Sequence, residues 1–415
     1  MKAPLRLLWR LMAVLGWGGL LWASLSPSKA LADPRVQIHN PQVDYRFGER
    51  LTFSVEVEAT TSVTQVEVFY HAQALTYTLA APMEAASGTP SRYTYTHDLH
   101  RQPLPPFAQV TYWFRVTLKD GYTATSAPQT FVLRDNRFPW AQLQEGPFVV
   151  FWYEGDEALA RQVLNAAQQG LTQAQRQWLA PTPSQVTFYI YASTADLQSA
   201  LRALPQWAAG HAAPELGKAF LSLPPGLEQG LEIRRQVPHE LAHLLLYQAT
   251  QDGYTNLPRW LNEGIASLTE LRPNPDYDVV LHQAIAQHAL IPLASLCQRF
   301  PTQAAQATLA YSESLAFTRY LYHMYGPSGL HDLILAYAQG GGCEEAPQKA
   351  VGQPLTQLER AWLATLGALP LKERWQNLTP WMELLALVLL PLLVILFARW
   401  GHGSAVTEVR HDRLP

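Results

Sequence analysis

The sequence predicts two folded units in series, an antiparallel β-sandwich over residues 33–135 and an α+β unit over 145–370. Three observations predict this. Up to residue 135 apolar and polar residues alternate with the period of half-buried strands, and helical periodicity is absent. From Phe148 short apolar runs alternate with long helical patterns, and after Glu263 everything reads helical. With its two terminal segments set aside, a chain of 415 residues is too long for one ordinary core and suits two.

In the first unit Leu51-Thr-Phe-Ser-Val-Glu-Val57, Gln65-Val-Glu-Val-Phe-Tyr70, Thr111-Tyr-Trp-Phe-Arg-Val-Thr117 and Gln129-Thr-Phe-Val-Leu133 each carry a strand pattern. Tyr112-Trp-Phe-Arg-Val116, with the Asp120-Gly121 turn after it, resembles immunoglobulin-like or fibronectin-like modules. The resemblance is architectural. A spacer role is expected ahead of binding a substrate or wall polymer, because such modules host unrelated functions.

In the second unit Phe148–Tyr153 is a buried strand run, and residues Glu157 to Trp178 form a long helix ended by Pro181. The scheme then repeats. Gln185–Tyr191 reads as a strand, Ser193 as an N-cap and Ala195–Leu204 as a helix. Lys218-Ala-Phe-Leu-Ser-Leu223 reads as another short strand. Gly326 and Gly340–Gly342 read as helix stops, and Leu355–Leu366 as a last amphipathic helix. No fixed-period repeat is visible.

The chemistry concentrates in Val237-Pro-His-Glu-Leu-Ala-His-Leu-Leu-Leu246 and in Arg259-Trp-Leu-Asn-Glu-Gly-Ile-Ala266. Residues four apart share a helix face, so His239 and His243 can offer two imidazole nitrogens to one ion, with Glu240 beside it. Two histidines and a carboxylate leave a fourth tetrahedral position to water, whose pKa zinc lowers to about 7. A neighbouring carboxylate then takes the proton of that water, the role expected of Glu240. With 13 histidines the HExxH pattern alone arises by chance in roughly one chain in fifty of this composition. Requiring Glu263, with nineteen residues between it and His243, lowers that to roughly one in a thousand.

His-Glu-Leu-Ala-His followed by Trp-Leu-Asn-Glu-Gly-Ile-Ala resembles the paired motif of the gluzincin metallopeptidases, and particularly the bacterial peptidase MA-like domains. The resemblance covers about residues 145–370 and implies an α+β zincin-like metallopeptidase domain there, with Lys218–Leu223 as an edge strand able to bind extended substrate by main-chain hydrogen bonds. It places one zinc ion on His239, His243 and Glu263, with Glu240 as general base. Pro238 departs from the pattern, so the active-site helix is expected either to begin or to bend at that residue. Ala310–Leu321 resembles the later helix that brings a tyrosine over the zinc-bound oxyanion, and Tyr311 stands where that tyrosine does. Core packing is the competing reading of Tyr311, and Glu270 and Glu313 read as solvated-face carboxylates.

At the amino end Lys2, Arg6 and Arg10 precede the apolar run Leu11–Leu25, and Ala30-Leu-Ala32 has the small residues of a cleavage site. Residues 1–32 are therefore expected to be a secretory signal. Leu384–Ala398 is wholly apolar between Trp381 and Trp400, so residues 381–400 are expected to be a transmembrane helix and 401–415 a cytoplasmic tail. The same placement makes the protein a single-pass membrane protein with both folded units extracytoplasmic, where Cys297 and Cys343 can pair.

A net charge of −3 and the lack of a basic run exclude a nucleic-acid partner. Fifteen per cent charged residues beside 31 prolines and 13 tryptophans exclude a disordered chain. The expected activity is hydrolysis of peptide or protein substrates, with an endopeptidase favoured over an aminopeptidase because no Gly-x-Met-Glu-Asn segment is present. Two alternatives stand beside it. One is a silent zinc-containing surface protein, against which the intact Glu240 argues; the other is a zinc hydrolase of a non-peptide bond.

Overall fold

The computed structural model describes residues 35–201 and 209–368, with the isolated positions 387 and 389. The expected signal (1–32), the rest of the expected span (381–400) and the tail (401–415) lie outside the described residues. Among the described residues no helix is long and apolar enough to cross a membrane.

The amino-terminal unit is built from nine strands: β1 (Val36–Arg46), β2 (Arg50–Ala59), β3 (Val63–Ala72), β4 (Leu79–Pro82), β5 (Glu84–Ala86), β6 (Thr89–Asp98), β7 (Gln109–Leu118), β8 (Thr123–Thr125) and β9 (Gln129–Val132). They make two antiparallel sheets, β1-β2-β6-β5 and β4-β3-β7-β8, with β9 also on β7. Alternate residues of β2, β3 and β7, among them Phe53, Val55, Val68, Tyr70, Tyr112 and Phe114, point into one shared core. The four runs read from the sequence fall in β2, β3, β7 and β9.

A five-stranded mixed sheet organises the second unit. Its strands are β10 (Ala141–Glu145), β11 (Phe148–Trp152), β12 (Val186–Tyr191), β13 (Gly210–Ala213) and β14 (Lys218–Ser222), in the order β10-β11-β12-β14-β13. The central three are parallel, which requires crossovers, and α1 (Glu157–Trp178) and α2 (Thr194–Ala200) lie in them. Asp156 caps α1 and Ser193 caps α2, each accepting a backbone N–H of the first turn. Beyond the sheet follow α3 (Gln229–Thr250), α4 (Arg259–Thr269), α5 (Asp276–Gln287), α6 (Ala304–Ala338), α7 (Glu345–Val351) and α8 (Leu355–Thr365). Gly326 breaks α6 with φ 68°, a conformation that costs glycine little. A disulfide joins Cys297 to Cys343.

Both faces of this sheet are covered. Phe148, Val150, Phe188, Ile190 and Leu221 pack under the helices. Val149, Phe151, Tyr189, Tyr191 and Phe220, offset by one residue, share a core with the β-sandwich. Phe107 of the sandwich stands 4.4 Å from the Tyr189 ring and 4.6 Å from Phe220. Asp135, fully buried, accepts from Arg137 and from the Tyr191 hydroxyl at 3.0 Å. The sandwich thus closes the apolar face of the sheet that the helices leave uncovered.

Two expectations are corrected here. Lys218–Ser222 is an inner strand between β12 and β13, and the edge belongs to Gly210–Ala213. Ala-Gly-His-Ala-Ala lacks the alternation and β-branched residues that mark a strand, so nothing local announced this edge. And α3 does not begin at Pro238, because the helix is already under way from Gln229.

Candidate metal centre

His239 and His243 lie one turn apart on α3, with ring centroids 5.0 Å apart and both side chains largely buried. Glu263 comes from α4, whose residues from Trp260 to Thr269 are all buried. Gly264 permits this placement. A Cβ there would stand 2.6 Å from the Ser314 carbonyl oxygen of α6, so only glycine lets the two helices approach this closely. Glu263 Oε2 then sits 3.5 Å from His239 Nε2 and 3.6 Å from His243 Nε2. One ligand atom from each of the three residues can be chosen so that all lie within 4.8 Å of one another.

The far sides of both rings are engaged. His239 Nδ1 donates to Glu270 Oε1 at 2.9 Å, and His243 Nδ1 donates to Asn262 Oδ1 at 2.8 Å. Asn262 is oriented in turn by donating Nδ2–H to the Tyr254 oxygen at 3.1 Å. With Nδ1 engaged on each ring, Nε2 is the nitrogen left to face Glu263, as a lone pair on His243 and, once a metal displaces its proton, on His239. A set of two imidazole nitrogens and a carboxylate fits a zinc ion.

The electrostatics favour a cation at the same place. Burial opposes protonation of His239, but hydrogen bonds with Glu263 and Glu270 outweigh it and hold its pKa well above the usual value. Burial lowers His243 to about 4, which keeps that imidazole neutral. For Glu263 burial is overcome by His243, His239 and Arg259, so its carboxyl stays below the usual range. Positive charge at the His239 Nε2 is therefore stabilised, and a metal ion competes with a proton for it.

Glu240 projects beside the three residues. Burial raises its pKa to about 7, with Glu263 and Glu270 adding to the rise and His239 and the Ala212 N–H opposing it. Tyr311, on α6, lines the same cleft, its ring 6.4 Å from that of His239, parallel to Tyr277 and edge-on to Phe300 at 5.1 Å. Burial above all, then Glu263, Tyr277 and Glu240, raise the Tyr311 pKa, so the phenol keeps its proton at neutral pH. The cleft encloses about 980 Å³, with Ala209–Ala212 of the sheet edge along one wall and Arg299 to Thr302 along another.

The five residues singled out from sequence, His239, Glu240, His243, Glu263 and Tyr311, are brought to one cleft. Glu270 and Glu313 are not solvated-face residues. Glu270 is 3% exposed against His239, and Glu313 is fully buried away from the cleft, accepting the Ile291 N–H. Asn262 was missed as a partner of His243, although its place directly before Glu263 on the same helix was the available signal.

Residues 166–368 match the sequence profile described as the Peptidase MA superfamily, a stretch just under half of the chain that runs from within α1 to beyond α8. The match supports a metallopeptidase-like function for the helical unit. No curated protein gives a significant match. Among solved structures, the aminopeptidase N family protein from Idiomarina loihiensis aligns over 82% of this chain and 75% of its own, at 8% identity and a TM-score of 0.34. OgpA from Akkermansia muciniphila aligns over 24% of this chain at 14% identity and a TM-score of 0.19. The chain spans only 29% of the length of OgpA, and at these values neither likeness carries an argument.

Proposed function

We propose that the protein is a zinc metallopeptidase in which His239, His243 and Glu263 hold one ion and Glu240 is the general base. The carrying observation is the pair of Nδ1 hydrogen bonds, to Glu270 and Asn262, that leaves both Nε2 atoms converging on Glu263. A zinc ion held by these three residues would supply Lewis acidity to the scissile carbonyl and to the attacking water. Glu240 takes the proton of the attacking water and passes it to the leaving amine, a role that fits its burial beside the cluster. Tyr311 donates its phenolic hydrogen to the oxygen on which negative charge develops. The edge of β13 bordering the cleft offers main-chain groups to an extended peptide. An endopeptidase is favoured over an aminopeptidase, since the chain carries no Gly-x-Met-Glu-Asn segment.

The same reading places both folded units outside the cytoplasm, anchored by residues 381–400, on the strength of the apolar run between Trp381 and Trp400. Protease protection of the tail and not of the folded units in sealed cells checks that orientation. For the activity, the purified protein should contain about one zinc per chain and cleave an unstructured protein substrate, and a chelator should stop the cleavage. Glu240→Gln should abolish turnover and keep the zinc. A Glu240→Gln protein with near-normal turnover removes Glu240 from the mechanism.

A further inference from the structure

Pro238 sits in the middle of α3, directly before His239. A residue with an N–H at that position would donate to the carbonyl of Arg234, and proline has none to give. The carbonyl is taken instead by the N–H of Leu271, at 3.0 Å, from the segment that follows α4. Leu271 is the neighbour of Glu270. So two consecutive residues of this segment meet α3 at two points, Leu271 N–H on the Arg234 carbonyl and Glu270 Oε1 on His239 Nδ1 at 2.9 Å.

Helix α1 backs both points. Gln173 donates its side-chain amide to the carbonyls of Leu268 and Glu270, at 2.9 and 3.2 Å. Gly170, three residues earlier on the same face, leaves room for the Pro238 ring, since a Cβ at 170 would stand 2.8 Å from the Pro238 Cβ. The Glu270 side chain is 2% exposed and its backbone is held on both sides, so little freedom remains to its carboxylate.

We propose that Glu270 is the positioning residue of His239 and that Pro238 delivers it, by freeing the Arg234 carbonyl on which the Glu270–Leu271 segment docks. The proposal rests on the zinc reading of the site. A carboxylate on Nδ1–H fixes the tautomer, orients the ring and makes Nε2 a better donor to the metal. A proline inside a helix weakens that helix, so its presence one residue before His239 is accounted for by what the freed carbonyl holds.

Zinc affinity, measured by competition with a chromophoric chelator on the full chain, tests this apart from turnover. Glu270→Leu, which removes acceptor and charge, should bind zinc roughly 10- to 100-fold more weakly. Glu270→Gln keeps an acceptor oxygen in the same place, so it should fold as the wild type and recover part of that loss. Pro238→Ala supplies an N–H that competes for the Arg234 carbonyl. It should lower zinc affinity several-fold while the metal-free protein unfolds at no lower temperature, a combination that a purely structural proline does not give. Wild-type affinity in Glu270→Gln and Glu270→Leu overturns the role of Glu270, and wild-type affinity in Pro238→Ala overturns that of Pro238. If the wild type itself takes up no zinc, the reading of the site falls and this proposal with it.

Discussion

Gly210 on β13 lies so close to Glu240 on α3 that a Cβ built on it would stand 2.5 Å from the carboxylate Oε1 and 3.1 Å from Cδ. Sheet edge and active-site helix therefore meet at the group proposed as general base. The backbone at 212 completes the contact, its N–H donating to the same carboxylate.

Gly210→Ala should accordingly displace the Glu240 carboxylate without touching any of the three ligand residues. We expect kcat to fall by about 10-fold or more with zinc content unchanged, since a small misplacement of a proton acceptor weakens the transition state and leaves metal binding alone. Steady-state kinetics beside metal analysis decide it. Unchanged kcat would mean that the carboxylate adapts to the lost space.

The pairing of His239 with His243 is legible in the sequence because helix geometry places residues four apart on one face, whereas Glu263, on a second helix, was marked only by the spacing of the motif it resembles. Glu270 was not legible, since its contact with His239 depends on a carbonyl freed by Pro238 and on a side chain from α1. Similar reasons hide parts of the fold. In β1 the strand pattern is broken at Asn40-Pro41, where the register shifts and Asn40 takes φ 47°, and β6 alternates mainly polar residues with tyrosines. The apolar runs of β11 and β12 announce strands buried on both faces, but not that the β-sandwich covers one of them.

The disulfide closes a loop with a sequence separation of 46. In the chain-entropy model such a loop contributes about 4 kcal/mol to stability. It also steadies the site, because the Cys297 carbonyl accepts the Arg259 N–H at the start of α4, four residues before Glu263. Reductant should lower the unfolding temperature of the wild type and leave a Cys297→Ser/Cys343→Ser double variant unaffected. Equal unfolding temperatures with and without reductant would remove the cross-link from the stability of this domain.

Glu313 links stability to pH at a place away from the cleft. Burial raises its pKa to about 8, with Glu359 adding to the rise and the Ile291 N–H opposing it. Because the folded-state pKa lies above the ordinary 4.5, the stabilising contribution is complete below about pH 4.5 and is lost as pH rises to about 8. Burial raises Glu359 as well, so it acts with the same sign. Glu313→Gln cannot ionise, so its stability relative to the wild type should increase across that window, by at most ~5 kcal/mol. Denaturant unfolding at pH 5 and pH 8 measures the difference. Parallel behaviour of the two proteins would show that Glu313 ionises alike in the folded and unfolded states, with no raised pKa.

Tyr311 separates a chemical role from a packing one. Its ring is held between Tyr277 and Phe300, and phenylalanine would keep those contacts. What Tyr311→Phe removes is a phenol that burial keeps protonated beside Glu263 and Glu240, and hence a hydrogen-bond donor facing the proposed reaction centre. A bond made only to the developing oxyanion lowers kcat and kcat/KM together, so both should fall by roughly 10²-fold while KM, zinc content and unfolding temperature barely move. If turnover instead survives, or falls only in step with lost stability, then Tyr311 is a packing aromatic of α6 and the charge on the tetrahedral oxygen is met by another group of the cleft.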